Sequence, residues 1–105
     1  DTDEILYACG DGKRDLDKKN LSEDMDRILK ERRSYMANAS EGGDILPITS
    51  GREEGVTAQI IVPIVSGGDC LGAVALLSRE EGARMDNNSL NLARLTADIL
   101  ANQFE

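Results

Sequence analysis

The residues of this 105-residue chain that could do chemistry are limited by the absence of histidine. Without histidine there is no His-dependent catalytic triad, no imidazole metal ligand and no ordinary proton shuttle near neutral pH. The two cysteines, Cys9 and Cys70, are far apart and fit no metal-binding or redox spacing. We therefore expect two buried free thiols in a reducing cytoplasm, and a chain that is not an enzyme.

The segment between residues 10 and 23 is the other place where a binding motif could lie. "GDGKRD" lacks the third glycine of a dinucleotide-binding loop and precedes no helix. "DGKRDLDKKNLSE" has Lys13, Leu16 and Ser22 where a calcium loop needs a ligand, a glycine and a glutamate. We interpret this segment as a turn and a solvated loop, and we expect no cofactor and no metal site.

The length, the net charge and the hydrophobicity of the chain indicate which classes of partner to expect. The length predicts one domain, and the formal net charge of −8 disfavours direct contact with nucleic acid by this domain. No apolar run is long enough to span a bilayer, and there is no signal-peptide pattern, so we expect a cytoplasmic protein without membrane contact.

Strands separate two helical segments, and no crossover of βαβ length links the longest strands, which predicts an α+β fold with an antiparallel sheet. Asn20 and Glu23 form a capping box at the start of the first helix, and Asp86 caps the last helix. Gly67-Gly68 permits a two-residue turn between the long strands. The predicted elements are a strand from Glu4 to Cys9, a helix after Asn20, short strands in "SYMANA" and "ILPIT", long strands in "VTAQIIVPIV" and "CLGAVALLS", and a helix from about Asn87 to Phe104.

With the turn at Gly67-Gly68, Ile64 should pair with Leu71, and paired residues share a face. One predicted face carries Ala58, Ile60, Val62 and Ile64 with Leu71, Ala73, Ala75 and Leu77. The other carries Thr57, Gln59, Ile61, Pro63 and Val65 with Cys70, Gly72, Val74, Leu76 and Ser78. Neither face alternates with charge, so both should be covered. The second face has two polar side chains at its far end, Thr57 and Gln59, and a side-chain gap at Gly72. These features predict that it forms the floor of a pocket, and the alternative is a second core layer.

The last helix is apolar over a wide arc, which is typical of a helix buried on more than one side. Leu92, Leu95 and Ile99 flank one side of its polar stripe, and Leu90, Ala93, Ala97, Leu100, Ala101 and Phe104 lie on the other side. The sheet can cover one of these sides. To cover the other side, we expect a helix from a neighbouring chain or from a segment outside this sequence.

"VPIVSGGDCLGAVALLS", residues 62 to 78, resembles the strand–turn–strand signature of GAF domains. More narrowly, the chain is similar to the C-terminal sensory domains of the stage V sporulation protein T family, transcription regulators with an AbrB-type DNA-binding domain. The similarity runs through "EILYACG", "KNLSEDMDRILKERRSYMANAS" and the closing helix.

This resemblance implies that residues 1–105 form a single GAF-like regulatory domain, with a GAF-like antiparallel sheet that has helices on both faces. It also implies that the family's opening helix, its first strand and the DNA-binding domain lie outside the sequence. Terminal helices of two chains pack together in the family, which implies a homodimer. The phenylalanine-containing motif of cyclic-nucleotide GAF domains is absent, because Phe104 is the only phenylalanine.

The leading hypothesis is a module that senses an unknown small molecule and dimerises, and so modulates DNA binding by a sporulation-type regulator. One alternative is a GAF domain that only dimerises and whose pocket is filled by side chains. The other is a small cysteine-dependent redox enzyme, such as a free methionine sulfoxide reductase. Candidate pocket residues are Tyr35, Met36, Ile48, Gln59 and Ile61, and candidate dimer-interface residues are Leu92, Leu95 and Ile99.

Overall fold

The computed structural model describes residues 3–8, 22–48 and 55–103. Within these ranges the chain forms four strands, two α-helices and one short 3-10 turn, which confirms the predicted α+β class. The elements are β1 (Asp3–Ala8), α1 (Glu23–Glu31), β2 (Tyr35–Asn38), the 3-10 turn (Ala39–Glu41), β3 (Ala58–Ser66), β4 (Asp69–Ser78) and α2 (Asn87–Asn102). The predicted cap residue Asn20 and the predicted helix end Phe104 lie outside the described residues, as does Cys9.

The sheet has the strand order β1-β4-β3-β2, and every pair of neighbouring strands is antiparallel. The central strands β3 and β4 are buried on both faces, because Ile60, Ile61, Val74 and Ala75 are all 1% exposed or less. Helix α1 packs against one face and α2 against the other. The prediction of helices on both faces is therefore confirmed.

The β3–β4 turn lies at Gly67-Gly68, as predicted. Both glycines have positive φ, 59° and 86°, which a primed two-residue turn requires and which glycine adopts without steric cost. Val65 pairs with Cys70 as expected, but Ile64 pairs with Gly72. The predicted pairing of Ile64 with Leu71 is wrong, because Leu71 is the extra residue of a β-bulge.

The bulge exchanges the two faces of β4 beyond Leu71, because a shift of one residue moves every following side chain to the opposite face. On β3 the predicted sets hold: Ile60, Val62 and Ile64 face α2, and Ile61 faces α1. On β4 the prediction is wrong. The residues that pack with Ile61 and α1 are Ala73, Ala75 and Leu77, and those that pack with α2 are Val74 and Leu76.

The N-cap of helix α1 lies two residues after the predicted cap, Asn20. Its N-cap is Ser22, whose Oγ accepts a hydrogen bond from the backbone N of Met25 at 3.0 Å. Ser22 is selected by a tertiary contact as well as by local geometry, because its hydroxyl also donates to the carbonyl of Pro47. The helix ends at Arg32, which adopts φ 55° and donates its N–H to the Ile28 carbonyl at 2.9 Å.

The predicted strand in "ILPIT" does not form over its described residues. Residues 44–48, which we call the strap, instead cross the α1 face of the sheet without strand pairing. Proline lacks an N–H, so Pro47 removes one strand hydrogen bond. Both backbone groups of Leu46 bond to a side chain, that of Gln59. Ile45 and Leu46 pack against the core of the α1 face, and Ile48 is fully buried in it.

Candidate functional site

The structure places four of the five candidate pocket residues on the α1 side of the sheet. Ile48 and Ile61 are core residues there with no exposed surface, and Tyr35 packs against them. Gln59 is also fully buried and bonds to the strap. Met36 packs on the opposite face, with the α2 cluster. The predicted group is therefore divided between two faces, and its central members are packed against one another.

Each polar atom of the Gln59 amide has a partner within the fold. Its Oε1 accepts a hydrogen bond from the backbone N of Leu46 at 2.6 Å, and its Nε2 donates to the Leu46 carbonyl at 3.1 Å. This pair of bonds has the pattern of a β-bridge made by a side chain. Gln59 thus fixes the strap to β3.

Tyr35 and Ser22 fix the strap at its two ends. The hydroxyl of Tyr35 donates to the Asp44 carbonyl at 2.6 Å. Partial burial, followed by the nearby carboxylate of Asp44, raises the pKa of Tyr35, so the phenol stays a donor. The backbone N of Ser22 donates to the Ile48 carbonyl at 3.0 Å. Because Ser22 also caps α1, the strap and the start of α1 are held as one unit.

A second buried amide, Asn38, was missed by the sequence analysis. Its Oδ1 accepts from the backbone N of Met85 at 2.7 Å, and its Nδ2 donates to the Met85 carbonyl at 2.9 Å. This contact fixes the loop before α2 to the end of β2. Gln59 and Asn38 are both amide side chains in otherwise apolar strands, and this pattern could have identified Asn38 from the sequence.

The same end of α2 carries two charged contacts. Arg84 bonds to Glu41, and this hydrogen bond holds the pKa of the Glu41 carboxyl below its usual value. Asp86 caps α2 by accepting from the backbone N of Ser89 at 3.1 Å, and this bond lowers the Asp86 pKa. The predicted cap is confirmed. A shallow cavity of about 300 Å³ lies here, and its lining includes Met36, Glu41, Arg84 and Asp86.

The larger cavity, about 520 Å³, lies between the C-terminal half of α1 and the beginning of β4. Its lining includes Gly72. Gly72 pairs with Ile64, which faces α2, so the expected side-chain gap lies on the face opposite this cavity. The cavity shares none of the five candidate pocket residues. The residues that line it are Asp26, Leu29, Lys30, Arg32, Asp69, Cys70 and Gly72.

Cys70 is half-buried at the edge of this cavity, more accessible than the buried thiol we expected. Its Sγ donates to the Gly72 carbonyl at 3.4 Å. Within the described residues no group of histidine, cysteine, aspartate and glutamate side chains is arranged to hold a metal ion.

The candidate interface residues on α2 are exposed. Leu92, Leu95 and Ile99 have exposed fractions of 60%, 56% and 52%. At about 100° per residue they lie on the side of the helix opposite the buried alanines, which are Ala93, Ala97 and Ala101. We call these three residues the apolar row. The alanines let α2 approach the sheet closely, and the apolar row faces away from this chain.

The family described as "Stage V sporulation protein T C-terminal, transcription factor" matches residues 1–105. The chain belongs to this family. Stage V sporulation protein T of Bacillus subtilis (strain 168) is 27% identical over 105 residues, which are 100% of this chain and 56% of that protein. The chain thus spans little more than half the length of this relative.

Membership in the stage V sporulation protein T C-terminal family confirms the narrower of the two resemblances, the one to that family. A domain described as part of a transcription factor supports the prediction of a non-enzymatic regulator. In the part of the chain that the structure describes, no helix is both long and apolar enough to cross a membrane.

Proposed function

We propose that this domain is the ligand-sensing and dimerisation module of a cytoplasmic bacterial sporulation regulator, and that it modulates DNA binding by its parent protein. Family membership supports the regulatory part of the proposal. The single observation that carries the dimerisation part is the apolar row of α2, opposite the face that the sheet covers. The acidic charge of −8 favours a role that leaves DNA contact to another domain.

A second copy of this chain is the proposed cover for the apolar row. Full burial of a leucine or isoleucine side chain contributes about 1.5–3 kcal/mol. The three residues are roughly half exposed, so a symmetric helix pair that buries both rows would gain several kcal/mol. A dimer at micromolar concentration needs about 8 kcal/mol net of association costs. The apolar row would supply a large part of this, with further contacts at its edges.

The proposed mechanism is linkage between ligand binding and dimer arrangement. A small molecule that binds one arrangement more tightly shifts the population toward it, and the shift cannot exceed the difference in affinity. The cavity between α1 and β4 supports ligand binding, because its volume of about 520 Å³ lies in the range of small-molecule pockets. The candidate residues Gln59, Ile48 and Ile61 are fully buried.

The test is Ile99→Glu, which places a charge in the apolar row. We expect the wild-type domain to sediment as a dimer and the variant to shift toward monomer, with an unchanged circular dichroism spectrum. Asn91→Glu is the matched control, because it adds the same charge on the polar stripe of the same helix and should leave the dimer intact. A monomeric wild type at high concentration would remove the basis for the proposal. In the parent protein, Ile99→Glu should also weaken DNA binding.

The second candidate function is dimerisation without a ligand. Close packing favours it, because Ile48 and Ile61 have no exposed surface and the amide of Gln59 is satisfied. A small-molecule screen by native mass spectrometry on the purified domain separates the two candidates. A dimer that retains no compound from the screen would favour dimerisation alone. A cysteine-dependent redox activity is a weaker alternative, because the family of this chain is described as a transcription factor.

A further inference from the structure

The cavity between α1 and β4 has an unusual balance of charge for so acidic a domain. Four of its lining residues are charged, and they comprise two carboxylates, Asp26 and Asp69, and two cations, Lys30 and Arg32. The other described lining residues are Leu29, Cys70 and Gly72. The charges of the described lining residues therefore sum to zero, whereas the whole chain carries −8.

These four charges are not used in ion pairs within the described ranges. Arg27 pairs with Asp24 on the same helix at 3.2 Å, and Arg84 pairs with Glu41 elsewhere. For Asp26, Lys30 and Asp69 the described part of the chain contains no such contact, and the guanidinium of Arg32 donates only to the carbonyl of Lys30 at 3.3 Å. All four residues are exposed, so a ligand that carries both signs can reach and bind both kinds of charge.

We propose that this cavity binds a small zwitterion, such as a free α-amino acid. Lys30 and Arg32 would bind its carboxylate, since charge-assisted hydrogen bonds to a carboxylate are among the strongest in proteins. Asp26 and Asp69 would bind its ammonium group. Leu29 and the half-buried Cys70 offer the apolar surface for an aliphatic side chain.

The size and the electrostatics of the site agree with this class of ligand. A volume of about 520 Å³ lies within the range of about 300–1,000 Å³ that small-molecule pockets occupy. An anionic metabolite would be repelled by the surrounding charge of −8, and a purely cationic one would leave Lys30 and Arg32 unpaired. A net-neutral ligand with both charges avoids both costs. This inference rests on the proposed ligand-sensing function and names its ligand class.

The experiment is a calorimetric titration of the purified domain with the proteinogenic amino acids, followed by two analogues of the best binder. For leucine, these analogues are leucinamide, which lacks the carboxylate, and 4-methylpentanoate, which lacks the ammonium group. We expect each analogue to bind at least tenfold more weakly than the amino acid. Asp69→Asn and Lys30→Gln should each weaken amino-acid binding by a similar factor. Asp98→Asn, the same change on exposed α2, should leave the affinity unaltered.

Three results would overturn the zwitterion proposal. The first is that none of the amino acids binds at concentrations up to about 10 mM, which corresponds to less than about 3 kcal/mol of binding free energy. The second is equal affinity for an amino acid and its analogues, and the third is an affinity that Asp69→Asn and Lys30→Gln do not change. Failure of the regulatory function has a different signature. In that case an amino acid binds with the expected preference, and its addition changes neither the sedimentation of the domain nor DNA binding by the parent protein.

Discussion

Gln59→Leu should destabilise the domain by removing the amide that fixes the strap to β3. The substitution keeps a side chain of similar size in a fully buried position, so it creates little cavity. It leaves the backbone N and carbonyl of Leu46 without their partners. An unsatisfied buried backbone group costs about 1–3 kcal/mol, so the two sum to about 2–6 kcal/mol. Leu46 is half-buried and water can reach it in part, so we expect about 2–4 kcal/mol.

The measurement is urea unfolding followed by circular dichroism at constant protein concentration. Against a typical total stability of about 5–15 kcal/mol this loss is large, and it should lower the melting temperature by about 10 °C or more. Gln103→Leu is the matched control, because Gln103 is exposed after α2 and should change stability by less than about 0.5 kcal/mol. Hydrogen exchange at the Leu46 amide should accelerate in the Gln59 variant. A stability equal to that of wild type would refute the assignment of Gln59 as the anchor of the strap.

Gln59→Glu tests the same contact through pH. The introduced carboxyl can still accept from the Leu46 N, but it can donate to the Leu46 carbonyl only when protonated. Burial raises its folded-state pKa above the usual value of about 4.3. The stabilising contact is therefore present below about pH 4.3 and is lost as pH rises through the raised folded pKa. We expect the stability deficit to grow between pH 4 and pH 8, with Gln103→Glu as the control. A deficit independent of pH would contradict this.

The remaining predictions concern separate parts of the fold. Val74→Asp should unfold the domain, because Val74 is 1% exposed and a buried unpaired carboxylate costs several kcal/mol; normal melting would show that this face is open to water. Ser22→Ala should cost about 1–2 kcal/mol by removing the cap of α1, whereas Ser40→Ala, at an exposed position, should be silent; equal effects would contradict the link between cap and strap. Cys70 should react with a thiol reagent more slowly than a free thiol because it is half-buried; complete protection in the folded state, or reaction as fast as a free thiol, would argue against the cavity edge as its position.

Several features follow from local sequence alone, because their causes are local. Asp86 caps α2 through its own neighbour Ser89, and the β3–β4 turn requires two residues with positive φ, which Gly67 and Gly68 supply. Leu92, Leu95 and Ile99 share one side of α2 by helical period, and the sheet covers the alanine side. The family assignment also followed from the sequence, since it depends on residues 62–78 and their flanking segments.

Other features were decided by tertiary structure. The bulge at Leu71 was not predicted, because both faces of β4 are apolar and no alternation with polar residues marks its register. The sequence predicted Asn20 as the cap of α1, whereas the structure has Ser22, whose contacts to the strap form only in the folded chain.

The candidate site shows the same division. Two of the candidate pocket residues, Gln59 and Tyr35, form hydrogen bonds to the chain itself, 13 residues away for Gln59 and nine for Tyr35. The cavity between α1 and β4 contains none of the five candidate pocket residues. Its charged residues come from α1 and from the start of β4. Lys30 and Asp26 are far from Asp69 along the chain, so no local sequence pattern indicates that they meet. The packing of α1 across the sheet brings them to the same cavity.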